Sequence, residues 1–101
     1  MDEIDKAVDN AQDAYESARK SPLDHGFAMV KGIDGRTKLA RQCSEHTAID
    51  VESDDYHGTT VHIDGLTRYL SAQAHGYQAF IDSLESSGFD VDGWHVFTHG
   101  H

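Results

Sequence analysis

The chain is poor in several things at once. It has one cysteine, one proline and only four lysines in 101 residues. With Cys43 alone, no intrachain disulfide can form. No apolar run approaches the roughly 20 residues needed to cross a bilayer. The opening residues lack the basic-then-apolar pattern of a secretory leader. A soluble, cytoplasmic protein is the expectation. Leu, Ile, Val and Phe together make about a fifth of the residues, near the level at which chains stop folding. Their regular placement argues for a fold all the same. The length suits one domain with a single modest core.

Basic charge is also scarce: 18 acids stand against 8 bases, for a formal net charge of −10. Nucleic-acid affinity comes largely from Lys and Arg, so direct nucleic-acid binding is not expected. The acidity fits a solvating surface of the halophile kind, a basic partner, or plain solubility. Eight histidines are many for this length. Protonating all of them would shift the formal charge from −10 to −2, so the surface should respond to pH.

What is present is periodic. Ile4, Val8, Ala11, Tyr15 and Ala18 form an apolar stripe, which predicts a helix over Met1 to Ser21, ended by Pro22. Asp2 and Glu3 at its start and Arg19 and Lys20 at its end suit the helix dipole. Asp64 is a candidate N-cap for a second helix. Its stripe is Leu66, Leu70, Ala74, Tyr77, Ile81 and Leu84, with Gly88 and Phe89 as a Schellman stop. Gly76 on that face suggests close approach to a neighbouring strand. Between the helices, Phe27 to Ile33 reads as a strand, and Asp34-Gly35 as a hairpin turn. Thr37 to Cys43 returns antiparallel in this reading, although its Leu, Ala, Arg and Gln also suit a short helix. Lys31, Arg36, Lys38 and Arg41 put half of the bases there, giving one basic edge on an acidic body. Thr47 to Glu52 and Gly58 or Thr59 to Ile63 follow as strands, and Trp94 to His99 as a last one. The expected fold is α+β in two layers. Its antiparallel sheet has four to five short strands and two helices, in the order α-β-β-β-β-α-β, with one sheet face open.

Candidate sites are few. Asp5, Asp9, Asp13 and Glu16 form a column of acids on one outer face of the first helix, roughly 6 Å apart. Like charges there cost about 0.2–0.5 kcal/mol per pair, which core packing outweighs. That spacing is near the phosphate spacing of a nucleic-acid strand. Glu52, Asp54 and Asp55 form a second acidic group. Cys43, His46, His95, His99 and His101 are the residues from which a metal site could be drawn, but no paired C-x2-C is present. Cys43 reads better as a small core residue than as a nucleophile. His57-Gly58-Thr59-Thr60 lacks the lysine and spacing of a phosphate loop. The element order resembles the αβββα order of double-stranded RNA binding domains, but the basic surface such domains need is missing.

These observations point to a non-catalytic acidic module without a cofactor. It would dock on a basic protein partner, in the manner of DNA-imitating inhibitors used by viruses. A small Cys/His metal-binding domain and a generic acidic halophile domain are the alternatives.

Overall fold

A computed structural model describes residues 2–19 and 24–100. The expected helix stop at Ser21 and Pro22, the dipole contribution of Lys20, and His101 lie outside the described residues. The elements are α1 (Glu3–Ala18), β1 (Gly26–Lys31), α2 (Lys38–Ser44), β2 (Ile49–Asp54), β3 (Gly58–Ile63), α3 (Leu70–Ser86) and β4 (His95–Gly100).

Helix α1 forms as its stripe predicts. Asp2 is the N-cap, and its carboxylate accepts from the Ile4 and Asp5 N–H groups at 2.8 and 2.9 Å. Ile4, Ala7, Val8, Ala11 and Tyr15 are the residues it buries.

Two expectations need correction. Residues 37–43 are not a strand. Asp34 does not turn a hairpin; its Oδ1 accepts the Arg36 N–H at 3.0 Å, and its carbonyl accepts the Thr37 N–H. That local Asx turn delivers the chain into α2, where Thr37 Oγ1 caps the Ala40 N–H at 3.2 Å. Helix-favouring side chains then win over a strand of weak alternation. Among the described residues the order is therefore α-β-α-β-β-α-β, with three helices and four strands.

The second correction concerns Asp64, which does not cap α3. Gly65 at φ 88° and Arg68 at φ 71° break helical geometry, so α3 begins only at Leu70. Its free N–H groups are met from afar. The Asp24 carbonyl accepts from Leu70 at 3.0 Å, and Asp24 Oδ2 accepts from the Ser71 N–H at 3.0 Å and hydroxyl at 2.6 Å. The far end is the Schellman motif expected. Gly88 at φ 92° donates to the Glu85 carbonyl, and Phe89 donates to that of Leu84 at 3.1 Å.

All four strands are antiparallel neighbours, in the order β2-β3-β1-β4. From β1 onward this is the split β-α-β (ferredoxin-like) arrangement, preceded by the extra helix α1. The three helices bury their apolar residues against Ala28, Val30, Ile49, Val61 and Ile63. Helix α3 lies on β1 and β4, α2 on β2, and α1 alongside α3. Gly76 marks that last contact: its close neighbours are the Leu66 side chain and the Ala11 carbonyl of α1, not a strand.

Strands β1 and β3 pair only around Val30 and Val61. Two α3 side chains supply bonds beside that short pairing. Buried Gln73 accepts the Ala28 N–H at 2.9 Å and donates to the Gly26 carbonyl at 3.2 Å. The Tyr77 hydroxyl accepts the Ile63 N–H at 3.0 Å. Polar atoms this deep are tolerated because each is satisfied. Burial also holds the Tyr77 phenol above its ordinary pKa.

Candidate functional site

The acidic column stands where the helical spacing puts it, but its four members are not equivalent. Asp5 is half-buried and hydrogen-bonded to His46 Nε2. His46 Nδ1 accepts the Ala48 N–H at 3.0 Å, so the ring proton lies on Nε2, facing Asp5. That pair ties α1 to the segment before β2, and it removes Asp5 from an outer docking row. Glu16 is exposed and lies 3.5 Å from Arg19, one turn on. Asp9 and Asp13 are exposed and make no ion pair among the described residues. The outward row is thus Asp9, Asp13 and Glu16.

The second acidic group lies elsewhere. Glu52 is on the open sheet face, 3.2 Å from His62 Nε2. Asp54 begins the β2–β3 turn, where its Oδ1 accepts the His57 N–H at 2.6 Å and the Tyr56 N–H at 2.7 Å. Those bonds, the His57 one first, hold its carboxyl below the usual carboxylate range. Asp55 is exposed at the tip of that turn. The structure therefore sets the two groups on different layers, one on a helix and one on the sheet. Acids also dot every other side: Asp82 and Glu85 on α3, Asp64 after β3, and Asp90 and Asp92 before β4 are all exposed.

The metal candidates are dispersed. Cys43 is fully buried in the core, and burial pushes its thiol up to about 12. His46 is engaged with Asp5 and Ala48. His95 Nδ1 lies 3.0 Å from the Gly93 carbonyl, and the His99 ring stacks on Phe27 with centroids 5.3 Å apart. Among the described residues, no three His, Cys, Asp or Glu side chains gather as a metal cage. Among the same residues, no helix is long and apolar enough to cross a membrane.

Comparison with known protein families, curated proteins and solved structures finds no match.

The surface that residue patterns did not single out is the open face of the sheet. Rings run across it in series. Tyr56 meets His57 at 4.6 Å, His57 meets Phe97 at 5.9 Å, Phe97 meets Phe27 at 6.5 Å, and Phe27 meets His99. Lys31 Nζ sits 4.4 Å over the Phe97 ring and 3.5 Å from His57 Nδ1. Among the described residues, Tyr56, at 88 % exposure, is the one large apolar side chain fully open to water. The period-2 alternation of β4 shows that His95, Phe97 and His99 share a face. Only the strand order reveals that Phe27, Met29 and Lys31 lie beside them.

Proposed function

We propose that this protein is a non-catalytic binding module whose α1 face docks on a basic, nucleic-acid-handling protein. The observation that supports the reading is the exposed row of Asp9, Asp13 and Glu16. It stands on a helix whose opposite face is buried, so the carboxylates are held in a fixed line. Steps of four and three residues space them about 4.5–6 Å apart along the helix. Such a row meets a groove built for a phosphate backbone at little conformational cost to the module. Long-range attraction would speed the encounter, and salt would weaken it. Imitation of DNA by this row is the specific form of the proposal. On this reading the protein inhibits its partner by occupying the partner's nucleic-acid groove, and no cofactor is needed.

The experiment is capture of basic proteins on the immobilised chain, followed by elution with duplex DNA. DNA should release a captured nucleic-acid-binding protein. The variant Asp9→Asn, Asp13→Asn, Glu16→Gln should capture less of it. The control Asp82→Asn, Glu85→Gln, which removes similar charge from α3, should capture as much as wild type. Equal losses in both variants would leave net charge as the whole explanation.

One observation favours a second reading. Exposed acids occur on all sides of the molecule, as in proteins whose charge serves solvation in concentrated salt. Strong stabilisation by molar salt, with no capture of basic proteins, would select that reading.

A further inference from the structure

We propose that the open face of the sheet is a self-association surface, on which two copies pack in a two-fold, sheet-on-sheet pair. The argument is the order of charges across the sheet. Strand register aligns Glu52 with Thr60, and Lys31 with His95. The Val30–Val61 pair sets Lys31 beside Thr60. One row across the face therefore reads Glu52, Thr60, Lys31, His95, acidic at the β2 edge and basic towards β4.

A two-fold axis along the strands reverses that row in the second copy. Glu52, which lies 3.2 Å from His62 of its own sheet, then faces His95 of the second copy, Lys31 covers the second copy's buried Thr60, and both juxtapositions occur twice. The row one step further down reads Asp50, His62, Met29, Phe97. Reversal lays His62 of the second copy over the buried Met29 and sets its Asp50 over Phe97, covering that side of the ring series. A self-complementary patch is what an isologous contact requires. Aligned sheets pack face to face in this way, about 10 Å apart.

A single-stranded nucleic acid is the rival occupant, since rings and a lysine can hold stacked bases. Glu52, Asp50 and Asp54 border the same face and would repel its phosphates, whereas Glu52 meets a basic ring, His95, on a second copy. The arrangement leaves the α1 face of each copy pointing outward, so it does not depend on the function proposed above.

The face is small. Four strands of six residues cover roughly 400 Å2, about half of what a standard interface gives each partner. The pair is accordingly weak. Sedimentation velocity of the full chain from about 10 µM to about 1 mM covers weak association of this kind.

Wild type should shift from monomer to dimer as concentration rises. Glu52→Lys and His95→Glu should each raise the dissociation constant about fivefold, since each change acts at both symmetric contacts. The double variant Glu52→Lys, His95→Glu reverses the pair and should recover to within about twofold of wild type. Both positions are exposed, so the variants should keep the wild-type circular dichroism. A chain that stays monomeric throughout overturns the proposal. So does a dimer indifferent to both single changes, or a double variant that does not recover. Tight binding of a labelled single-stranded oligonucleotide that displaces the dimer would give the face to nucleic acid instead, and would also overturn it.

Discussion

Gly76→Ala tests the packing of the two long helices. In an isolated helix this change favours folding by about 1 kcal/mol, because alanine restricts the unfolded chain and glycine does not. Here the new Cβ would lie 2.6 Å from Leu66 Cδ2 and 2.9 Å from the Ala11 carbonyl oxygen. Leu66 is a flexible side chain and can turn away. The Ala11 oxygen belongs to the α1 backbone, and it yields only if the whole helix moves. Overpacking of this kind costs about 1–3 kcal/mol. The net effect should be a loss of about 1 kcal/mol, and Gly76→Val should lose more. Leu66→Ala alone should cost about 2–5 kcal/mol, as buried leucines do. In the double variant the methyl group added at position 76 occupies part of the vacated space. The two losses should then fall short of additivity by about 0.5–1 kcal/mol. Gly88→Ala is the contrasting case: it meets open space but sits at φ 92°. It should lose about 1–2 kcal/mol through backbone conformation alone and add independently to Leu66→Ala. Urea unfolding with an unchanged slope measures each variant. Stabilisation by about 1 kcal/mol in Gly76→Ala, additive with Leu66→Ala, would mean that propensity acts alone. The close approach of α1 to α3 would then be refuted.

Ile81→Ala, a core change, should cost about 2–5 kcal/mol, and exposed His75→Ala less than about 0.5 in the same assay; equal effects would misplace the face of α3. Leu70, half-buried at the first position of α3, should fall between them. Cys43 should resist a thiol reagent at pH 8 while the protein is folded and react on addition of denaturant; rapid reaction of the native protein would contradict its burial. Asp2, Asp24, Asp34 and Asp54 all have carboxyls held below the ordinary 3.8 by hydrogen bonds, the largest from Asp5 N–H, the Ser71 hydroxyl, the Arg36 side chain and His57 N–H. Between the folded and unfolded pKa values the unfolded chain binds more protons, so stability rises with pH there. Stability from these groups should be complete above the ordinary carboxylate range and be lost as pH falls below about 4. Asp24→Asn should flatten part of that acid slope in a thermal melt series, and an unchanged slope would remove Asp24 from the capping of α3.

Sequence alone determined the parts of this protein that depend on short-range geometry. The stripes of α1 and α3 follow from a 3.6-residue period, which any helix must obey once one side is buried. Gly88 and Phe89 mark a Schellman stop because few residues accept the left-handed position. Alternation over Gly58 to Ile63 and Trp94 to His99 located β3 and β4 for the same local reason. The outward row of Asp9, Asp13 and Glu16 was legible too, as the complement of the buried stripe. The tertiary structure decided what depends on partners distant in sequence. Lys38–Ser44 could be strand or helix by propensity, and an Asx turn at Asp34 with the Thr37 cap tipped it to helix. Asp64 looked like a cap, but Asp24, 47 residues before Ser71 in the chain, supplies the bonds at the start of α3. Asp5 looked like one acid of four until His46 claimed it. The open face is the clearest case. Its residues come from four strands and a turn, each with an ordinary local pattern. Only the order β2-β3-β1-β4 lays Glu52, Thr60, Lys31 and His95 in one row, because hydrogen-bonded neighbours in a sheet are set by the whole fold and not by proximity along the chain.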